Sequence, residues 1–263
     1  MTDTLAVPDD SIALHNGAAM PLLGFGTWQI KGKNAVRATS VALEAGYRHL
    51  DTATVYGNEA EVGRALAESG VPRDAVFLTT KCPPRRAGRE LDTLHESLEK
   101  LQTDRVDLWL IHWPGDGRTN LDLWGAFVEA RESGLAREIG VSNFDAALID
   151  EVTGSAGVAP AVNQIEWSPM LFDRGVVDGH RRRGIQLEGY SPLRATNLRD
   201  PRLVGIAETH GVTPAQVVLR WHVEHGIVAI PKSTNEGRIT ENAAIFDFEL
   251  TPTEMTTLDG LGR

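Results

Sequence analysis

The segment "YRHLDTATVYGNEAEVGRAL", residues 47–66, decides the fold because it joins a short apolar strand to an amphipathic helix. At the junction stand Asp51 and, five residues later, Tyr56, which is followed by Gly57 and Asn58. Glycine and asparagine suffice to turn the chain at such a junction. A carboxylate and a phenol where a strand ends therefore indicate a role beyond the turn.

The same strand–turn–helix pattern recurs along the chain. Amphipathic segments such as 35–45, 59–69, 90–101, 122–133 and 214–225 predict helices. Several helices are predicted to stop at a glycine in the left-handed conformation, namely at Gly46, Gly70, Gly134, Gly211 and Gly226. Short apolar runs predict eight strands, at 22–25, 49–50, 76–78, 106–111, 138–141, 161–165, 186–189 and 227–230.

The spacing of the strands indicates the architecture. Successive strand ends at positions 51, 81, 112 and 142 lie 30 or 31 residues apart, about the length of one βαβ unit. Strands that alternate with helices predict a parallel sheet. Eight strands in about 250 residues favour an α/β fold in which the sheet closes into a (β/α)8 TIM barrel. A β-hairpin is predicted before the barrel, in residues 12–21, with its turn at Asn16-Gly17.

No Pro/Gly/Ser-rich linker divides the chain, so residues 1–263 are predicted to form a single barrel domain, of which residues 1–11 are flexible. The segment "GFGTWQ", residues 24–29, lacks the third glycine of the dinucleotide-binding fingerprint, and the P-loop pattern is absent. Both observations argue against an open, doubly wound sheet.

Composition limits the partners of this protein. Its 26 Lys and Arg against 36 Asp and Glu give a net charge of −10, which argues against a nucleic-acid or anionic-membrane partner. A single cysteine, Cys82, excludes an internal disulfide framework and fits a reducing compartment. With neither a signal peptide nor an apolar run of 18 residues, a cytoplasmic protein is predicted. The histidines of "HVEH", residues 222–225, have the wrong spacing for a metalloprotease, and no metal site is predicted.

Every predicted strand from the second onward ends in a polar residue. A barrel brings the carboxyl ends of its strands to one mouth, where its chemistry gathers. We therefore expect the following side chains to lie close together: Asp51, Lys81, His112, Ser142, Asn143, Gln164, Tyr190, Ser191, Lys232 and Ser233.

These residue types suit the protonation of an oxyanion that forms from a carbonyl. Tyr56 is the candidate acid, and the ammonium of Lys81 is expected to lower the pKa of its phenol. Asp51 is expected to hold Lys81, and His112 to hydrogen-bond the substrate oxygen. No side chain carries a hydride, so a cofactor must bring it.

The other side of the mouth is suited to a dinucleotide. Ser142, Asn143 and Gln164 offer hydrogen bonds for a carboxamide, and the ring of Tyr190 offers a stacking face. In "IPKSTNEGRITEN", residues 230–242, cationic and hydroxyl side chains cluster ahead of a predicted short helix, namely Lys232, Ser233, Thr234 and Arg238. Such a cluster predicts a phosphate site. If the phosphate is the 2′-phosphate of a dinucleotide, the cofactor is NADPH. The alternative for this segment is an ordinary capped helix with a surface turn.

Seven segments resemble motifs of the aldo-keto reductase superfamily, in the order that the family has them: "GYRHLDTATVYGNEAEVGRAL", "FLTTK", "DLWLIHWP", "IGVSNF", "VNQIEWSP", "GYSPL" and "IPKSTNEGRITEN". The resemblance covers residues 12–261 and is strongest to the short prokaryotic branch that includes diketogluconate reductases. It implies a barrel that binds NAD(P)H in an extended form, without a Rossmann motif, and reduces aldehydes and ketones. It also suggests a monomer that acts on small carbonyl compounds.

Carried over by motif, the resemblance implies Asp51, Tyr56, Lys81 and His112 as the catalytic residues. For the substrate pocket it implies Trp28 and Trp113, beside Tyr56 and His112. For the cofactor it implies the groups just described, with Ser191 and Leu193 near the pyrophosphate and Glu241 and Asn242 near the adenine. After the first strand, Gly26, Thr27 and Trp28 are also expected to contact the cofactor.

The chain departs from the family pattern in three places. Arg194 stands where the family usually has glycine after "YSPL", so the loop around the pyrophosphate is expected to differ. Trp167 and Ser168 replace the usual residues after "NQIE". The sequence stops at Arg263, where relatives usually continue over the substrate mouth, and an open pocket is therefore expected.

The alternatives to a reductase are a nucleotide-binding sensor on the same barrel and an isomerase or lyase.

Overall fold

The computed structural model describes residues 10–15 and 17–262 as a parallel barrel with helices around it. The strands are β1 Ser11–Ala13, β2 Ala19–Pro21, β3 Phe25–Gly26, β4 His49–Asp51, β5 Phe77–Cys82, β6 Val106–Ile111, β7 Ala136–Ser142, β8 Val162–Glu166, β9 Gln186–Tyr190 and β10 Val228–Ile230. The helices are α1 Lys33–Glu44, α2 Glu59–Glu68, α3 Glu90–Leu101, α4 Thr119–Glu132, α5 Ala146–Ala156, α6 Arg174–Arg182, α7 Pro201–His210, α8 Pro214–Glu224, α9 Glu236–Ala243 and α10 Pro252–Asp259.

Strands β3 to β10 lie side by side in chain order, and every pair is parallel. The two edges meet through a bridge between Leu23 and Ala229. Gly24 N donates to Ala229 O at 2.8 Å, and Ala229 N donates to Leu22 O at 2.9 Å. These bonds close the sheet and confirm the predicted TIM barrel.

The first barrel strand is shorter and begins later than predicted. Residues 22–24 pair only through the bridge, and the regular strand is Phe25–Gly26. Gly24 occupies a crowded position, because a Cβ there would lie 2.6 Å from His49 Nδ1 and 2.8 Å from Ile230 Cγ2.

The predicted hairpin closes the amino end of the barrel. β1 pairs antiparallel with β2, with Ile12 opposite Met20. Leu14 and Met20 are buried in a cluster with residues of the barrel strands, among them Leu108 and Val162. The predicted turn residue Asn16 lies outside the described residues. So do residues 1–9 of the segment that was expected to be flexible, whereas Ser11 already belongs to β1.

Several helices end at the glycines that were predicted to stop them. All five predicted glycines adopt a positive φ, between 64° and 97°, so the left-handed helix ends are confirmed. Helix α4 begins at Thr119, three residues before its predicted start, although no side chain caps it there. The helices pack on the outside of the sheet.

A substitution at Gly63 would test how closely the helices around the barrel pack. A Cβ on Gly63 in α2 would lie 2.6 Å from the backbone of Leu101 at the end of α3. Because backbone cannot move aside cheaply, we expect Gly63→Ala to lower the free energy of unfolding by about 1–3 kcal/mol in urea denaturation. The matched control is Gly125→Ala in α4, which has free space around the new methyl and should stabilise by about 0.5–1 kcal/mol. Equal effects of the two substitutions would contradict the packing described.

Candidate active site

Nearly all of the predicted site residues surround one cavity at the carboxyl end of the barrel. Its volume is about 1000 Å³, large enough for an extended organic ligand. Three predicted residues do not line it: Lys81 and Thr27 are buried behind its wall, and Thr234 is exposed outside it. The predicted residues that do line it are Gly26, Trp28, Asp51, Tyr56, His112, Trp113, Ser142, Asn143, Gln164, Tyr190, Ser191, Leu193, Lys232, Ser233, Arg238, Glu241 and Asn242.

The loop after β4 places Tyr56 in the cavity wall. Tyr56 ends a single 3-10 turn, and the hydroxyl of Thr54 in this turn donates to Lys81 O at 2.7 Å. Gly57 follows with a φ of 62°. The buried side chain of Asn58 donates to the carbonyls of Thr27 and Ile30, at 2.9 and 2.8 Å. The glycine and the asparagine therefore build the loop and leave the phenol free for the cavity.

Asp51 and Lys81 form a buried ion pair. Lys81 Nζ lies 2.6 and 2.7 Å from the two carboxylate oxygens of Asp51, and it also donates to Thr52 O at 2.9 Å. Burial lowers the pKa of Lys81, but its neighbours, the Asp51 carboxylate first among them, together outweigh burial and leave that pKa above its ordinary value. Lys81 is therefore an ammonium group, and it is held in place behind the wall of the site.

The phenol of Tyr56 stays protonated in the free protein. Lys81 Nζ lies 5.1 Å from the centroid of the Tyr56 ring. Burial raises the pKa of Tyr56, the charge of Lys81 opposes this, and the charge of Asp51 adds to it, so the pKa lies above its usual value. Lys81 lowers this pKa, as expected, but burial outweighs its effect, and the sequence does not show how deeply the phenol is buried.

His112 lies against Tyr56 as a neutral imidazole. The two rings meet edge to face, with 5.5 Å between their centroids. Burial and the nearby charge of Lys81 lower the pKa of His112 to about 3. A neutral imidazole still carries one N–H, so His112 can donate a hydrogen bond into the cavity.

A chain of side-chain amides and hydroxyls forms the neighbouring wall. Tyr190 Oη donates to Asn143 Oδ1 at 3.0 Å, and Asn143 Nδ2 donates to Ser142 Oγ at 3.0 Å. The hydroxyl of Ser142 donates to Gln164 O at 2.7 Å. Asn143 and Ser191 both adopt a positive φ, 63° and 54°, which is uncommon for residues other than glycine. These bonds hold Ser142, Asn143 and Gln164 together with the ring of Tyr190 on one side of the cavity.

The far end of the cavity carries two cations without an ion pair among the described residues. They are Lys232, which follows β10, and Arg238 in the first turn of α9. Asn235 caps this helix by accepting from Arg238 N at 3.0 Å, and Ser233 Oγ accepts from Asn235 N at 3.0 Å. A helix start with unpaired cations and a hydroxyl group is suited to an anion such as a phosphate.

Comparison with known proteins agrees with this geometry. The model described as "Aldo/keto reductase family" matches residues 22–263. The chain belongs to the aldo/keto reductase family. Members of this family are oxidoreductases that reduce carbonyl groups, and they generally use nicotinamide cofactors.

Individual relatives support the same assignment. The chain is 43% identical to the glyoxal reductase of Bacillus subtilis (strain 168) over 258 residues, 97% of this chain and 93% of the relative. It is 43% identical to 2,5-diketo-D-gluconic acid reductase B of Corynebacterium sp. (strain SHS752001) over 259 residues, 96% of this chain and 93% of the relative. A crystal structure of an aldo/keto reductase from Brucella melitensis matches with a TM-score of 0.93 at 44% identity, over 97% of this chain and 100% of that one. The resemblance found in the sequence is thereby confirmed.

Several cavity residues of this aldo-keto reductase were missed in the sequence. Thr213 caps α8 and Pro214 is its first residue, and the signal in the sequence was the capping box that Thr213 forms with Gln216. Leu198 lies in an irregular loop that carries no such signal. Arg194, which replaces the usual glycine, is exposed and lines the cavity, whereas the unusual Trp167 is buried in the protein core.

The "HVEH" segment of this reductase belongs to α8 and to the turn after it. His222 is buried and contacts the carbonyls of Val218 and Trp167, at 2.8 and 3.3 Å. His225 Nε2 contacts Asp259 Oδ1 at 2.7 Å. The two histidines hold α8 to its neighbours.

Within the described residues, none of the helices has the length and apolar character needed to cross a membrane.

Proposed function

We propose that this aldo-keto reductase reduces small aldehydes and ketones to alcohols with NADPH, and that Tyr56 gives the proton. The nicotinamide supplies the hydride when it is bound. The observation that carries the proposal is the juxtaposition of Tyr56, His112 and the Asp51–Lys81 pair at the wall of one large cavity.

The four side chains form a proton donor and its support. The phenol of Tyr56 holds its proton at neutral pH, because its pKa is raised. An alkoxide that develops beside it is a much stronger base than a phenolate, so the proton passes from Tyr56 Oη to the substrate oxygen. Lys81 stabilises the phenolate that remains. The neutral His112 donates a hydrogen bond to the same substrate oxygen and fixes its position.

The cavity fits an extended dinucleotide at both of its ends. We assign the amide side chains near Tyr190 to the carboxamide, with the Tyr190 ring stacked on the nicotinamide. Gly26, Trp28, Ser191 and Leu193 are assigned to the middle of the cofactor, whereas Thr27 is buried behind them. The adenosine end is assigned to Lys232, Ser233, Arg238, Glu241 and Asn242, whereas Thr234 lies outside the cavity. Unpaired cations in a chain of net charge −10 support a phosphorylated ribose and hence NADPH.

Removing the charge of Lys232 or Arg238 should raise KM for NADPH far more than KM for NADH. We expect Lys232→Ala and Arg238→Ala to raise KM for NADPH about tenfold or more, since a hydrogen bond to a charged group contributes about 1.5–3 kcal/mol. KM for NADH should change less than about twofold, and steady-state kinetics at saturating carbonyl measure both values. The matched control is Arg64→Ala, an exposed arginine of α2 that does not line the cavity. Equal losses for the two cofactors would contradict a 2′-phosphate site.

The substrate end of the cavity has exposed apolar walls. Trp28, Val55 and Trp113 line it with exposed fractions of 44%, 39% and 51%. They surround the position where a carbonyl would meet Tyr56. The names of two relatives, a glyoxal reductase and a diketogluconic acid reductase, support small dicarbonyls and keto sugars as substrates.

The test is the oxidation of NADPH, followed by absorbance, against aldehydes, α-dicarbonyls and keto sugars. We expect turnover with at least one of these classes and a lower rate with NADH. Tight NADPH binding without turnover of any carbonyl would contradict the reductase proposal and leave a nucleotide-binding protein on a reductase scaffold.

We further propose that the chain works as a single-domain, cytoplasmic monomer without a nucleic-acid or membrane partner. The cavity is built from one chain, the net charge is −10, and Cys82 is the single cysteine. Light scattering of the purified protein measures the oligomeric state, and a dimer would contradict this part of the proposal.

A further inference from the structure

Glu188 is a buried carboxylic acid inside the barrel, two residues before Tyr190 on β9. Its relative exposure is 0%. Glu188 Oε2 accepts a hydrogen bond from Gln164 Nε2 at 2.9 Å. A buried acid on an inner strand is costly unless its contacts offset the loss of hydration, so its contact with Gln164 calls for an explanation.

The amide of Gln164 has two acidic neighbours that determine its orientation. Gln164 Nε2 also donates to Asp51 Oδ2, at 2.8 Å. Because Asp51 is paired with the ammonium of Lys81, its oxygens are acceptors, and the nitrogen of the amide must face them. Both N–H groups of Gln164 are thus used inside the barrel. None of the hydrogen bonds among the described residues uses Gln164 Oε1, although Gln164 lines the cavity.

Glu188 acts here as an acceptor that needs no charge. Burial and, secondly, the charge of Asp51 raise the pKa of Glu188 to about 8. The acid is therefore largely neutral at neutral pH. His49 Nε2 lies 3.7 Å from Glu188 Oε1, and burial followed by the charge of Lys81 lowers the pKa of His49 to about 3. Glu188 and His49 are therefore both neutral, and the carbonyl-type oxygen of Glu188 that faces Gln164 remains available as an acceptor.

We propose that Glu188 is a positioning residue for the nicotinamide: it fixes the plane of the Gln164 amide so that Gln164 Oε1 accepts from the carboxamide N–H of the cofactor. This inference rests on the proposed use of NADPH. A single bond to Asp51 leaves the amide free to rotate about that bond. The second acceptor, 2.9 Å from the same nitrogen, removes this freedom and points the free oxygen into the cavity.

The experiment compares NADPH with its 3-acetylpyridine analogue, in which a methyl ketone replaces the carboxamide and the N–H donor is missing. The dissociation constants of both are measured by titration of tryptophan fluorescence. Glu188→Met and Glu188→Leu remove the acceptor and keep similar volume, whereas Glu188→Gln keeps a carbonyl oxygen. The control is Glu138→Met, because Glu138 is a buried glutamate on β7 that does not line the cavity. Thermal unfolding verifies that each variant is folded.

We expect the wild type to prefer NADPH over the analogue by about 3- to 10-fold, the factor that one hydrogen bond supplies. Glu188→Met and Glu188→Leu should bring this ratio close to one, and Glu188→Gln and Glu138→Met should keep it within about twofold. A wild-type ratio in both apolar variants would overturn the inference. So would an equal loss of affinity for both ligands, which marks a purely structural role, or a lost ratio in Glu188→Gln, which marks a role of charge. A wild type that binds neither ligand would instead overturn the proposed function itself.

Discussion

Tyr56→Phe is expected to lower kcat for carbonyl reduction about a thousandfold while the Kd for NADPH stays within about twofold. The substitution removes one oxygen atom, the proposed proton donor, and a positioned general acid contributes about 10²- to 10⁴-fold. The ring itself remains to pack against His112, with which it makes an edge-to-face contact. Steady-state kinetics give kcat, and fluorescence titration gives the Kd.

The control for this prediction is Tyr47→Phe. Tyr47 is a buried tyrosine that does not line the cavity, and its hydroxyl donates to Ile239 O at 3.3 Å. Loss of this phenol should leave kcat unchanged within about twofold. If Tyr56→Phe retained more than a tenth of the wild-type kcat, another group would have to be the acid.

Breaking the Asp51–Lys81 pair is expected to destabilise the fold strongly as well as abolish turnover. Removing one partner of a buried pair leaves the other charge uncompensated and costs about 3–5 kcal/mol. Asp51→Asn and Lys81→Met should each show this loss in urea denaturation. In the double variant no unpaired charge remains, so its loss should fall below the sum of the two single losses by about 2 kcal/mol or more.

Activity separates the two roles of the pair. All three variants should lose kcat about a hundredfold or more, because Tyr56 then lacks the ammonium that stabilises its phenolate. The control is Asp92→Asn, which breaks an exposed pair with Arg89 and should cost less than about 0.5 kcal/mol. Strictly additive losses in the double variant would show that the two charges are not coupled.

Much of the fold and the position of the site could be predicted from strand periodicity. The 30-residue spacing indicated a barrel, and a barrel places the ends of all parallel strands at one mouth. For this reason Asp51 and His112, 61 residues apart in sequence, could be placed together from the sequence alone. The glycine signals fixed the helix ends because a positive φ is costly for other residues.

Other features depend on tertiary packing that sequence patterns do not encode. The direction of the Tyr56 pKa shift follows from a balance between burial and two opposite charges. The inward orientation of Glu188 depends on the register of β9 against β8, in which Glu188 lies opposite Gln164. Residues such as Leu198 reach the cavity from an irregular loop whose course is determined by its neighbours.

The most direct test of the account is to follow the transferred hydrogen. NADPH carrying deuterium in both positions at C4 of the nicotinamide is incubated with the enzyme and an α-dicarbonyl substrate, and the alcohol is examined by mass spectrometry and NMR. We predict one deuterium on the new carbinol carbon of each product molecule, together with one NADP⁺ formed. An alcohol without deuterium, or a product formed without NADP⁺, would contradict hydride transfer from the nicotinamide and with it the proposed reaction.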